Sequence, residues 1–128
     1  MDFSFTEEQE LLAENLVEFM DREYPESLIK ECDEQKIFPV EANKKFYEAG
    51  FGAIGVPEEL GGVPADMVTM CLVTSIVYRY SWAGCTYSPL SIMNAADKAS
   101  PEIRTEMLEG LMLSLIHISE PTRLRCIS

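Results

Sequence analysis

Histidine is nearly missing from this chain, with His117 alone among 128 residues. Cys32, Cys71, Cys85 and Cys126 are scattered with no Cys-x-x-Cys pair and no partnering histidines, so a metal site is not expected. The same scatter offers no disulfide framework, and reduced thiols in a cytoplasmic protein are the expectation. Basic residues are scarce as well. Ten Lys and Arg face 22 Asp and Glu, a net charge of −12, which argues against nucleic acid or an anionic lipid surface as partner. Long apolar runs are also missing. The longest, Met67 to Tyr80, is interrupted by Thr69, Thr74 and Ser75 and is too short to span a bilayer. Met1 to Glu8 has neither a basic nor an apolar region of the kind a signal peptide needs. With 47% hydrophobic residues the chain can still build a core.

The chain is organised around Gly50-Phe51-Gly52-Ala53-Ile54-Gly55-Val56-Pro57-Glu58-Glu59-Leu60-Gly61-Gly62. Five glycines and a proline in 13 residues exclude a regular helix. Phe51, Ile54, Val56 and Leu60 are nonetheless apolar, so a buried corner is expected rather than a surface loop. Gly50 stops a helix, Ile54 to Val56 runs extended, and Gly61-Gly62 closes a turn.

Helical patterns flank the corner on both sides. Thr6-Glu7-Glu8-Gln9 reads as a capping box, followed by Leu11, Leu12, Leu16, Phe19 and Met20 on one face as far as about Tyr24. A weaker helix covers Glu26 to Glu34, then a connector at Lys36 to Phe38. Pro39 is placed as the first helical residue of a helix to Ala49, with Phe46, Tyr47 and Ala49 facing inward. Ala65 to Tyr80 is apolar nearly all round, with its main face at Val68, Cys71, Leu72, Ile76 and Val77, as suits a central helix. Trp82 to Tyr87 is a small-residue turn, Pro89 to Ala99 a further helix, and Ser100-Pro101-Glu102 starts a last one toward Gly110. No segment alternates with strand period. The fold class is all-α, an orthogonal or up-down bundle of about six helices.

Few residues carry chemistry by type. Adjacent Glu58 and Glu59 diverge in a turn, and Glu58 serves local backbone bonds better than acid–base work. Cys85 has no base partner in sequence, so it is not expected to be a nucleophile. Met67, Met70, Met93, Met107 and Met112 read as core filler, Lys44-Lys45 as a solvated face, and Trp82 as a bundle plug or interface residue.

Three motifs together resemble the N-terminal helical domain of the acyl-CoA dehydrogenase family. They are Asp2-Phe3 with Glu7-Glu8-Gln9, the Pro57-Glu58-Glu59-Leu60-Gly61-Gly62 corner, and Ser100-Pro101-Glu102 leading to Leu108-Glu109-Gly110. Glu31-Cys32-Asp33 and the corner running into Ala65-Asp66-Met67-Val68-Thr69 look most like carnitine-pathway crotonobetainyl-CoA reductases. Thr74-Ser75 stands where many relatives carry a Glu pair. The resemblance implies an FAD-dependent enzyme. It would perform α,β-dehydrogenation of an acyl-CoA, or the reverse reduction of an enoyl-CoA, with a carboxylate base and a hydride passed to flavin. It further implies a homotetramer and an electron-transfer flavoprotein partner. Base and flavin contacts lie in later domains of the family, so no catalytic, cofactor-binding or metal residue is assigned here. The family's N-terminal domain supplies one wall of the acyl pocket, and the matching segment is Cys85, Thr86, Tyr87 and Ser88 with Leu90 behind it. The same residues also read simply as a turn and a helix cap.

Residues 1–112 form the family-like domain, and a β domain would be expected to begin near Met112. Instead Leu113 to Arg123 looks like a translated sequencing-library adapter, with Leu124 to Ser128 fitting the index and primer that follow. Ser119-Glu120-Pro121 is not a flavin motif, because Thr122 stands where glycine is required and no Gly-Ser-Asp follows. Residues 113–128 are therefore read as an artefactual tail, which leaves eight basic and 21 acidic residues in the rest. The chain then reads as an inactive N-terminal fragment of a longer enzyme. A free-standing helical interaction module is the alternative, and a related flavoprotein oxidase or monooxygenase a weaker third.

Overall fold

The computed structural model describes residues 2–81 and 87–106. Among the described residues it is helical with no strand: α1 (Glu7–Glu23), α2 (Glu26–Gln35), α3 (Val40–Glu48), α4 (Met67–Ser81), α5 (Pro89–Lys98) and α6 (101–106). Residues 82–86, within the turn expected at Trp82 to Tyr87, and residues 107–128, which include the expected continuation of the last helix toward Gly110 and the tail read as artefactual, lie outside them.

α1 begins where the capping box predicts. Thr6 Oγ1 accepts the Gln9 N–H at 3.2 Å and Gln9 Oε1 accepts the Thr6 N–H at 3.0 Å, while Glu7, Glu8 and Glu10 suit the positive end of the helix. Leu16, Phe19 and Met20 are buried, but Leu11 is exposed, because one residue of helical rotation carries it off the face centred on Leu16. α2 ends on Lys36 at φ 53°, a left-handed turn without glycine. Pro39 precedes α3 as its cap, one residue earlier than its expected place. Phe46 is fully buried, whereas Ala49 caps the helix and is exposed.

α4 starts at Met67 rather than Ala65. Asp66 Oδ1 takes the Thr69 N–H at 2.8 Å, which makes Asp66 the cap and leaves Ala65 outside the helix. Its buried side is Met70, Val73, Ile76 and Val77; Val68 and Cys71, expected to face inward, are exposed, and so is Met67. The helix carries two apolar stripes, so periodicity alone cannot choose between them. The choice falls to α1, whose Gln9 Nε2 donates to Thr69 Oγ1 at 3.1 Å while Leu16 and Phe19 share one core with Val73 and Val77.

The glycine corner has its stop at Gly50 and its closing turn at Gly61-Gly62 as expected, with two 3-10 turns, Phe51–Ala53 and Glu58–Leu60; the extended pass expected from Ile54 to Val56 is instead broken by a turn at Gly55, where the Val56 N–H donates to Ala53 O at 3.1 Å. Ile54 and Val63 form an isolated parallel bridge, in which the Gly55 N–H donates to Val63 O at 2.8 Å and the Val63 N–H to Ala53 O at 3.0 Å. The loop therefore folds back beside its own start and satisfies its buried backbone groups. Gly55 has φ +90°, and a Cβ there would meet Met70 Sδ and Pro89 Cβ, so glycine alone lets α4 and α5 close over the corner. At Gly62 a Cβ would strike the Val56 backbone. Phe51 then joins Phe19 (ring centroids 5.3 Å apart) and Phe46 (5.8 Å) in an aromatic centre that locks α1 and α3 to the corner.

Candidate functional site

Of the five residues expected to line an acyl pocket, Cys85 and Thr86 lie outside the described residues; Tyr87, Ser88 and Leu90 are described. Tyr87 is the junction between the corner and α5. Its ring is buried edge-on against Phe46, 6.3 Å between centroids, and its hydroxyl donates to Ile54 O at 2.9 Å. Its carbonyl accepts from the Tyr78 hydroxyl at 3.1 Å. Burial pushes the Tyr87 phenol up to about 12, with Tyr47 and Cys71 adding smaller contributions, so it remains a protonated donor. The Tyr87 side chain is thus a packing and hydrogen-bonding anchor, and any contact with a ligand falls to its neighbours. Tyr78 was not anticipated; a tyrosine in an apolar stripe gives no sign that its hydroxyl reaches nine residues on.

Ser88 occupies the cap position of α5, but its hydroxyl pairs with Ser91 Oγ at 2.7 Å instead of a backbone N–H. Leu90 projects into solvent. Glu58 and Glu59 are exposed on their 3-10 turn, where the Glu58 carbonyl accepts the Gly61 N–H at 2.9 Å. Lys45, read as solvated, bonds Glu23 at 3.1 Å and holds that carboxyl below its usual value.

Two clefts combine polar and apolar lining. One, of about 410 Å³, lies between Asp21, Glu26, Ile29 and the Arg79-Tyr80 end of α4, where the Tyr80 hydroxyl donates to Asp21 at 2.5 Å. The other, of about 310 Å³, lies between Leu60, Met93 and Arg104, flanked by Glu59 and Asp97, with Arg104 Nε bonded to Ala96 O at 2.7 Å. Each sets two carboxylates against one arginine, Arg79 in the first and Arg104 in the second, a net negative lining that opposes the pyrophosphate of a dinucleotide. Among the described residues no group of three or more His, Cys, Asp or Glu could hold a metal ion, and no helix is long and apolar enough to cross a membrane.

This order of helices about a Pro-Glu-x-x-Gly-Gly corner has a counterpart in known proteins. The family model described as acyl-CoA dehydrogenase, N-terminal domain, matches residues 6–113. The chain belongs to the acyl-CoA dehydrogenase family. Its curated relatives include the probable acyl-CoA dehydrogenase YdiO of Escherichia coli strain K12 and its counterparts in strains O6:H1 and O157:H7. Each is 44% identical over 72 residues, which is 56% of this chain and 19% of the relative. No solved structure matches the chain. As a member of the acyl-CoA dehydrogenase family it thus spans about a fifth of the length of these relatives.

Proposed function

We propose that this chain is the N-terminal helical part of a flavin-dependent acyl-CoA dehydrogenase or enoyl-CoA reductase, and that alone it is inactive. The family match over residues 6–113 carries the reading. In it, residues 1–112 are the native domain and 113–128 a translated adapter. A crotonobetainyl-CoA-like thioester is the proposed substrate, with a homotetramer and an electron-transfer flavoprotein as the parent's associations and the cytoplasm as its location. FAD would supply hydride acceptance in the parent. The described residues do not fit it, because in each mixed cleft two carboxylates, Asp21 and Glu26 or Glu59 and Asp97, outnumber the single arginine, Arg79 or Arg104, so no flavin step is assigned to them.

The domain's proposed contribution is positional. Cys85, Thr86 and Ser88 would face the acyl group with Leu90 beside them, while the Tyr87 side chain ties this wall to the corner through Ile54. A free-standing helical interaction module is the second reading, favoured by the exposed apolar side of α4. Sequencing the source DNA past the Met112 codon separates the two. Continuation into a β domain with a Thr-Glu-Pro-Gly motif, and acyl-CoA turnover by the complete protein, are the expected results. A stop codon just after Met112 would reject the enzyme reading.

A further inference from the structure

The start of α5 is not held the way a helix start is usually held. Ser88 stands at the cap position, yet its hydroxyl pairs with Ser91 Oγ at 2.7 Å and makes no cap bond to a backbone N–H. What fixes this point of the chain lies one residue earlier. Tyr87 is tied on three sides: its hydroxyl donates to Ile54 O at 2.9 Å, its ring packs edge-on against Phe46, and its carbonyl accepts from the Tyr78 hydroxyl at 3.1 Å. The first two ties hold the side chain. The third holds the backbone itself, and it is made from α4, nine residues back. Burial follows the same division. Tyr87 and Pro89 are buried, whereas Ser88 and Leu90 are exposed, so the inward residues fasten the segment and the outward ones are presented. Tyr78 is itself 39% exposed. Water could serve such a hydroxyl, so its bond to Tyr87 O braces the segment rather than rescuing a buried donor.

We infer that Tyr78 is a positioning residue of the proposed acyl pocket: through the Tyr87 carbonyl it sets where Ser88 and Leu90 stand, and so bears on which acyl chains are accepted, without touching the acyl group. This rests on the proposed function, which places Ser88 and Leu90 in that wall. Acyl chains differ by methylenes, and an apolar pocket tells them apart by how closely its wall stands. A small displacement of Ser88 and Leu90 is therefore read as altered selectivity.

The test uses the complete parent expressed from the source gene, assayed with a series of straight-chain acyl-CoA thioesters. Tyr78→Phe removes one oxygen from a partly exposed ring and should leave the fold intact, checked by a thermal melt. It should raise KM with kcat held, and change the ratio of kcat/KM between short and long thioesters by about two- to tenfold. Tyr80→Phe is the comparison, because it deletes another α4 hydroxyl bond, to Asp21 on α1 and not to the segment at Tyr87. Whatever it does to the melt, it should leave acyl selectivity unchanged. Leu90→Ala should shift the same ratio, and combined with Tyr78→Phe the two effects should not add, since both act on one wall. Unchanged selectivity in Tyr78→Phe, an equal shift in Tyr80→Phe, or additive effects of Tyr78→Phe and Leu90→Ala would each overturn the inference, while a yellow, active parent would still uphold the proposed function. A parent with neither flavin nor acyl-CoA turnover would reject the proposed function, and this role of Tyr78 with it.

Discussion

Tyr87 and Gly55 hold the corner by different physics, and substitution separates them. Tyr87→Phe keeps the ring on Phe46 but removes the hydroxyl that donates to the carbonyl of buried Ile54. That should lower unfolding stability by about 1–3 kcal/mol in urea titration. Gly55→Ala meets both a left-handed φ of +90° and Met70, for a loss of about 1–3 kcal/mol from the backbone alone and more from the contact. Gly61→Ala, with φ +81° and open space around it, should cost less than Gly55→Ala in the same titration. Glu23 sets a pH dependence. Its carboxyl lies below the usual value of 4.5 chiefly through the hydrogen bond from Lys45, with Arg22 adding to it. A depressed acid contributes stability that is whole above 4.5 and is lost as pH falls through the folded value. Lys45→Met should therefore be less stable than the parent sequence at neutral pH, by on the order of 0.5 kcal/mol for so exposed a pair. The two urea midpoints should converge in acid.

Among the elements, α1 was the most legible, since its capping box and apolar spacing are local properties of consecutive residues. Thr6→Ala should cost about 1 kcal/mol by loss of the cap. Gln9→Ala should cost more than Thr6→Ala in thermal melts, because Gln9 both completes the box and reaches Thr69 on α4. The first of those roles can be read from the Thr6-to-Gln9 spacing; the second joins residues 60 apart and leaves no local trace. α4 is the counterexample. Its existence is plain in the sequence, yet Val68 and Cys71, on the face expected to be inward, are exposed, because two apolar stripes fit the same helical period. The left-handed Lys36 that ends α2 was likewise hidden, since glycine usually marks such a turn and lysine does not.

For the whole molecule, the purified 128-residue chain should bind the apolar dye ANS through the exposed apolar side of α4 and show no flavin absorbance. A yellow preparation would contradict the proposed function. The composition and local spacing of the chain by themselves determined an all-α class, the helix starts at Thr6 and Ser100, and a glycine corner between the helices. These follow from caps, backbone freedom and periodicity, which act over a few residues. Only the tertiary structure decided which stripe of α4 is buried, that the side chain of Tyr87 turns inward, and that Ile54 and Val63 pair within the corner. Those outcomes depend on which distant surface each side chain meets, a choice made by packing among α1, α3 and the corner.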